Sequence, residues 1–319
     1  MLKPDNIPAL NPEHVRSLHA AAGDWYSANG RDLPWRRAPF AGEPYAVLVS
    51  EVMLQQTQVE RTVPKFLEFM AAFPTIDRLA AAATGDVIRL WSGMGYNARA
   101  VRLRALAVAV VTRHEGRLPG SVEELRALPG IGPYTAAAVA CFAFGASVAV
   151  LDTNVYRVLS RVVHGVEPPS RSALEPLARR LLPEPGAPLG TSAWHQCLMD
   201  LGATLCRVRA PRCMLCPLRE LCQAAPLLQS GDVRRVAEAS VPYSPKQGAF
   251  TGSTRFYRGR VVDALRALPP GGVLAMSDLG PVVLSAFAPG RDDAWLEALV
   301  TGLERDGLVV RTLDGVGLP

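Results

Sequence analysis

Four cysteines within one 17-residue stretch, Cys206, Cys213, Cys216 and Cys222, constrain the fold of this chain more than any other feature. Thiols so close together pair as disulfides, bind metal or stay free. The opening MLKPDNIPALNPEH has no apolar run of the secretory kind, so we expect a cytoplasmic chain, where disulfides are rare. The spacing C-x6-C-x2-C-x5-C contains a single C-x2-C knuckle with wider flanks, whereas structural zinc sites commonly pair two such knuckles. Thiolates at these intervals can instead wrap a cubane, one cysteine per iron. The spacing ranks a 4Fe-4S cluster first, zinc second and free thiols third. Cys141 and Cys197 lie in apolar surroundings and read as buried thiols.

Arginines crowd the same stretch. Arg207, Arg209 and Arg212 fall between the first two cysteines and Arg219 before the last, with Glu220 the one opposing charge. The whole chain has 34 Lys and Arg against 29 Asp and Glu, but from residue 227 onward the two signs balance at 10 each. The entire excess of +5 therefore lies in residues 1–226. A solvated face is the ordinary explanation, and nucleic acid is the leading functional one. With 319 residues, 49% of them apolar, two or three domains with real cores are expected, and disorder is excluded. The uncharged run 135–151 has 17 residues, contains Gly145 and Ser147, and falls short of the roughly 20 that span a membrane, so it reads as a buried helix.

Before residue 226 the apolar positions recur at helical spacing, without the alternation of a half-buried strand. Helices are expected over 12–29, 45–54, 59–70, 75–83, 86–92, 97–114, 121–127, 133–144, 153–164, 170–182 and 191–205, separated by short turns containing Gly or Pro. Residues 226–253 read as a linker. Beyond it, helices near 256–268 and 292–306, and the passage of LERDGLVVR (303–311) through a Gly turn into a strand, suggest a small α+β, winged-helix-like domain.

The loop LPGIG (128–132) leads into a helix. Gly130 and Gly132 would let backbone N–H groups approach a phosphate at a helix N-terminus, though a plain turn has the same pattern. Asp152, before Thr-Asn-Val, is a good N-cap. Glu51 sits in the apolar run VLVSEVML (47–54), a setting that raises a carboxyl pKa.

LPGIGPYTA (128–136), LDTNVYRVLSR (151–161) and the cysteine closure at 206–222 resemble the helix-hairpin-helix DNA glycosylases of the endonuclease III superfamily over about residues 10–225. Within it, LPWR (33–36), SEVMLQQTQV (50–59) and GMGYNARA (93–100) look like the A/G-specific adenine DNA glycosylases, the MutY family. The resemblance implies an all-α helix-hairpin-helix fold: a six-helix barrel domain over 31–148, and a cluster domain from 8–30 and 149–225 that holds one 4Fe-4S cluster on the four cysteines. The linker and the C-terminal domain at 254–319 follow.

The implied activity is removal of adenine opposite 8-oxoguanine or guanine in double-stranded DNA, by a monomer in the cytoplasm, at the nucleoid, with no membrane involved. Glu51 would be the general acid that protonates adenine, and Asp152 would stay ionised to stabilise a cationic sugar, oriented by Asn154. Tyr134 stands where bifunctional relatives carry a Schiff-base lysine, so the implied enzyme is monofunctional. Gln56 would be the wedge opposite the flipped base, with Met94 and Tyr96 intercalating on the partner strand's side. Trp35, Arg36, Leu54 and Val59 would line the adenine pocket, Thr57 would contact DNA within the LQQT motif, Gln196 would touch the base, and Gly130 and Gly132 would hold phosphate.

Two features depart from the family pattern. Asp152-Thr153-Asn154 stands where Asp-Gly-Asn is usual. The MutT-like domain that reads 8-oxoguanine through a Phe-Ser-His loop has no counterpart, since no histidine follows His195 and only 66 residues follow Ser253; FTGSTRFYRGRVVDALR (250–266) looks instead like the short C-terminal unit of some bacterial members. The competing enzyme is a T:G mismatch thymine glycosylase, or a more endonuclease III-like one. A non-catalytic iron-sulfur DNA-binding or redox-sensing protein is the alternative of another class.

Overall fold

Asn11 starts the helical succession: its side chain accepts a hydrogen bond from the Glu13 N–H at 2.9 Å, and Pro12 occupies the first turn, where a missing N–H costs nothing. The computed structural model describes residues 11–166, 169–229 and 248–319; residues 8–10 of the expected cluster domain and 230–247 of the expected linker lie outside the described residues. In chain order the helices are α1 (Pro12–Asn29), α2 (Pro44–Leu54), α3 (Val59–Ala72), α4 (Ile76–Ala81), α5 (Thr84–Leu90), α6 (Ala98–His114), α7 (Val122–Arg126) and α8 (Pro133–Phe144). There follow α9 (Thr153–Val163), α10 (Arg171–Arg180), α11 (Thr191–Thr204), α12 (Ala225–Gln229), α13 (Thr254–Arg266), α14 (Met276–Val283) and α15 (Asp293–Arg305). Among the described residues no helix is long and apolar enough to cross a membrane, and the uncharged run contributes only the 12-residue α8.

The chain forms two compact units, each discontinuous in sequence. The first gathers residues 11–37, 120–123 and 132–229. Its core is built by α9, whose Val155, Val158, Leu159 and Val162 pack with Leu174 and Leu177 of α10, Cys197, Leu198 and Leu201 of α11, and Leu18 and Ala22 of α1. Asp200 of α11 is fully buried and takes four hydrogen bonds: from the Arg31 backbone N–H (2.8 Å) and Nε (2.6 Å), and from Arg36 Nη1 (2.8 Å) and Nη2 (3.0 Å). A buried carboxylate is tolerated only with such complete pairing. His195, one turn before Asp200, is buried too, donating from Nδ1 to the Thr191 carbonyl (2.8 Å) and accepting the Val150 N–H at Nε2 (3.0 Å). It thereby fixes the extended segment that runs into Asp152.

The second unit gathers residues 38–119, 124–131 and 248–319. Tyr45 to Met53 of α2 are all buried, so this helix has no polar face. Glu43 caps it, accepting from the N–H groups of Tyr45 (3.1 Å) and Ala46 (2.6 Å). The C-terminal segment supplies α13, β1 (Val273–Leu274), α14, α15, β2 (Val310–Thr312) and β3 (Gly315–Gly317). The strands form an antiparallel sheet in the order β1-β3-β2, with Val273 opposite Gly317 and Arg311 opposite Val316, which completes a winged-helix arrangement. Its core joins Val261, Val262 and Leu265 of α13 to Leu279 and Val283 of α14 and Leu296, Leu299 and Leu303 of α15, together with Ile88 of α5. The sequence did not announce α14, because Gly280-Pro281 inside eight residues reads as a breaker.

Residues 31–37 and α8 lie in the unit that carries the cysteines, and 254–319 lie in the unit that carries α2 to α6.

Burial lowers the His195 pKa to about 4. A folded-state value below the unfolded one means that the unfolded chain takes up the proton first, so this stability is present above about pH 6.5 and is lost as pH falls towards 4, by on the order of 3 kcal/mol. In denaturation curves across that window, His195→Gln, whose amide can donate and accept in the same way, is expected to flatten the slope; a slope equal to wild type would refute the assignment.

Candidate active site

Asp152 is the N-cap of α9. Its Oδ1 accepts the Val155 N–H at 2.6 Å and its Oδ2 accepts from Asn154 Nδ2 at 2.9 Å. Asn154 is held in turn by Arg157, whose Nη2 donates to Asn154 Oδ1 (2.8 Å) and to the Gly202 carbonyl (2.7 Å), while its Nε donates to the Cys206 carbonyl (2.7 Å). Gly202 lets α11 come this close, since a Cβ there would lie 2.5 Å from Asn154 Cβ. Burial raises the Asp152 pKa from the ordinary carboxylate value, against the hydrogen bonds from Val155 and Asn154 and the nearby Arg157, which lower it. The sequence shows the helix terminus but not this desolvation.

Glu51 lies in α2 and is only 7% exposed among apolar residues, as the run around it suggests. Tyr134 is the second residue of α8, half-buried against Ala138, Cys141 and Val150. Gly130 has φ +80°, a conformation that L side chains rarely adopt, and a Cβ there would meet Arg102 Cβ at 3.3 Å. Gly132 is the N-cap of α8, has no neighbour within 4 Å of a Cβ position, and leaves that helix end without a side-chain cap.

The expected DNA-probing residues of the second unit gather around one buried side chain that the sequence analysis did not single out. Arg99, 6% exposed, donates from Nη1 to the carbonyls of Val52 (2.9 Å), Met53 (2.9 Å) and Gln55 (2.7 Å), and from Nη2 to Thr57 Oγ1 (3.0 Å) and the carbonyls of Met94 (2.9 Å) and Gly95 (3.2 Å). Burial lowers its pKa to about 10, which leaves it charged at neutral pH. Its guanidinium also lies over the rings of Trp91 (5.3 Å) and Tyr96 (5.7 Å). The signal was present in the sequence: Arg99, Leu103, Leu106 and Val110 share one helical stripe, so an arginine occupies a core position.

Gln56 and Tyr96, on the two turns that Arg99 holds, have φ of +56° and +44°. Non-glycine residues in this region are strained, and such strain concentrates at functional sites. Both side chains are exposed, whereas Met94 is buried at 2% and faces the core. In this conformation Tyr96 rather than Met94 offers a ring to the surface. Leu54 ends α2, Val59 begins α3, and both are half-buried.

Other expected contacts are engaged within the protein. Trp35 is buried in the 3-10 turn Pro34–Arg36, and Arg36 is committed to Asp200. Gln196 accepts from the Tyr26 hydroxyl (2.8 Å) and donates to Ser192 Oγ (3.3 Å).

Cys206, Cys213, Cys216 and Cys222 line one cavity, walled by Val158, Val162, Leu201, Leu205 and Leu218. Burial pushes the Cys216 thiol up to about 12 and Cys222 up to about 11, and the four sulfurs feel one another electrostatically. Among the described residues no three metal-binding side chains converge on a single-ion site. The buried Arg161 donates from Nη1 to Cys206 Sγ (3.4 Å) and to the Arg207 carbonyl (2.7 Å), placing a cation beside the sulfurs.

Residues 49–184 match the HhH-GPD superfamily of base excision DNA repair proteins. The chain is 40% identical to an adenine DNA glycosylase of Mycolicibacterium smegmatis over 294 residues, 91% of this chain and 92% of that protein. It is also 40% identical to the adenine DNA glycosylase of Mycobacterium tuberculosis over 95% of this chain and 93% of the relative. The human adenine DNA glycosylase is 40% identical over 72% of this chain, a stretch that spans 43% of the human protein. Among solved structures, a thermostable thymine-DNA glycosylase matches with a TM-score of 0.61 and 27% identity over 67% of this chain and 98% of that one. An endonuclease III–DNA complex shares the fold at a TM-score of 0.58 and 22% identity, covering 69% of this chain and 99% of its own.

The raised Asp152 pKa has a consequence for stability. The folded protein holds this proton more tightly than the unfolded chain, so stability is lost as pH rises through the folded-state value. Asp152→Asn keeps the cap and removes that cost. Its thermal midpoint at neutral pH should exceed wild type, by about 2–4 °C for each kcal/mol relieved; a lower midpoint would contradict the burial argument.

Proposed function

This chain belongs to the adenine DNA glycosylase family of helix-hairpin-helix base excision repair enzymes, and from that premise we propose that it hydrolyses the N-glycosyl bond of adenine paired with 8-oxoguanine or guanine in duplex DNA, leaving an abasic site. The observation that carries this reading is the desolvated carboxylate of Asp152. An oxocarbenium-like sugar supplies positive charge to a carboxylate that burial disfavours, and the attraction grows as that charge develops at C1′. The stabilisation is therefore selective for the transition state.

Glu51 serves as the general acid. Its carboxyl lies in a buried helix, and protonation of adenine turns the base into a neutral leaving group. Asn154 orients Asp152. With Tyr134 in place of a lysine there is no amine to form a Schiff base, so the chemistry stops at base removal. Gln56 fills the gap left by the extruded adenine and Tyr96 wedges into the stack, both from turns already fixed by Arg99. Trp35, Leu54 and Val59 contact the extruded base, Thr57 contacts the DNA, and Gly130 and Gly132 receive a phosphate. Arg36 and Gln196 act through the partners that hold them. The enzyme acts as a monomer, in the cytoplasm at the nucleoid.

We infer that Cys206, Cys213, Cys216 and Cys222 hold one 4Fe-4S cluster. Four thiols around one apolar cavity, spaced C-x6-C-x2-C-x5-C and with the Arg161 cation beside them, support this reading. Bound there, it supplies a rigid cross-link beneath the exposed Arg207, Arg209 and Arg212.

Purified protein incubated with duplexes containing a single A:8-oxoguanine, A:G or T:G pair should yield strand breaks at adenine only after alkali. Breaks without alkali would identify a lyase, breaks at thymine would favour the mismatch thymine glycosylase, and no excision would overturn the enzymatic mechanism. Glu51→Gln should slow excision by about 100-fold or more while DNA binding persists. The protein should be brown, with about four iron atoms per chain and no zinc; a colourless zinc protein would refute the cluster.

A further inference from the structure

The winged-helix unit at residues 254–319 has no assigned task, and its chemistry argues against a groove-reading one. The helix that would enter a groove, α15, begins with Asp292 and Asp293 and carries Glu297 and Glu304. Arg311 on the wing is tied to those two glutamates at 2.8 and 3.0 Å. A face of this sign repels phosphate.

The unit is also tied to the residues that flank Tyr96. Asn97 is the N-cap of α6, yet its side chain makes no cap hydrogen bond. Its Oδ1 instead accepts from Arg266 Nη2 at 2.8 Å, while Arg266 Nε donates to the Ile88 carbonyl at 2.9 Å and Nη1 to Asp263 Oδ1 at 2.7 Å. In the other direction Arg89 of α5 closes the C-terminal end of α13, donating from Nη1 to the carbonyls of Arg266 (2.7 Å) and Leu268 (2.6 Å) and from Nη2 to that of Pro269 (3.1 Å). Two arginines thus cross between the same helices in opposite directions. Ile88 lies in the C-terminal core, against which Ala98 and Val101 also pack. The two ends of the turn 91–97 are both fastened to this unit, and within the turn Gly93, Gly95 and Tyr96 all have positive φ. A strained turn keeps its shape only while its surroundings over-determine it.

We propose that the winged-helix unit is a positioning element for the Tyr96 turn, and that Arg266, acting through Asn97 and the Ile88 carbonyl, is the positioning residue. The proposal rests on reading Tyr96 as a DNA-probing side chain, and it adds a second support to the one Arg99 gives from beneath. Loss of Arg266 frees the N-terminus of α6 and lets Tyr96 relax.

The test compares Arg266→Ala, Asn97→Ala and the double variant with Leu299→Ala, which loosens the same C-terminal core without touching the clasp. Single-turnover excision of adenine opposite guanine should fall 10- to 100-fold in each clasp variant, because misplacement by about 1 Å costs that much, and the double variant should be no worse than either single one. Asn97→Asp, which keeps an acceptor for Arg266, should retain the wild-type rate. Amide exchange at residues 93–97, read without DNA, should quicken by about 10-fold in Arg266→Ala but not in Leu299→Ala. Unchanged exchange in Arg266→Ala overturns the proposal whatever the enzyme excises. So does a loss of excision that tracks thermal stability equally in Arg266→Ala and Leu299→Ala. A wild-type protein that excises nothing would count against the proposed reaction, and the exchange measurement would still decide the positioning role.

Discussion

A helix that ends inside a protein leaves carbonyls without partners, and a guanidinium is the side chain best shaped to satisfy several of them together. Arg99 does this for α2. It takes the last carbonyls of that helix with one nitrogen and the Thr57 hydroxyl and the next turn's carbonyls with the other. The arrangement needs both turns to bend inward, and Gln56 and Tyr96 adopt left-handed conformations where they do so. Removing the charge would leave six acceptors facing one another in a dry interior, at a cost of about 1–3 kcal/mol for each one left unsatisfied. The stiffness of the two turns follows from that arithmetic.

The same device recurs through the molecule. Arg89 closes α13, Arg157 bridges Asn154 to the Gly202 and Cys206 carbonyls, Arg161 takes the carbonyl of Arg207, and Arg171 donates to that of Leu151. Arginines used in this way keep their charge, but their donors are spent on carbonyls. For direct phosphate contact the exposed Arg207, Arg209 and Arg212 are therefore a better guide than the net charge of +5.

The sequence made the helices legible because the apolar stripes of α1, α3, α9 and α11 are long and regular. Residue type at short range also anticipated that Glu51 is buried in its helix and that Asp152 caps the next one. Helix α14 was hidden by Gly280-Pro281, which reads as a breaker although Gly280 is buried against the Phe287 ring. Asp200 was missed because its partners, Arg31 and Arg36, are more than 160 residues away. The desolvation of Asp152 was hidden for a related reason. The helix terminus is visible in sequence, whereas the packing that removes its water is not.

Both units are assembled from separated stretches of chain, and this bears on synthesis. Arg31 and Arg36 cannot meet Asp200 until the ribosome has added the intervening residues, which at about 5–20 residues per second takes roughly ten seconds or more. The second unit waits longer still, because Ile88 is covered by helices made last. During that interval α2, apolar on every side, is an exposed aggregation hazard. A chaperone that shields the nascent segment around residues 45–53 would be protecting the helix that carries Glu51.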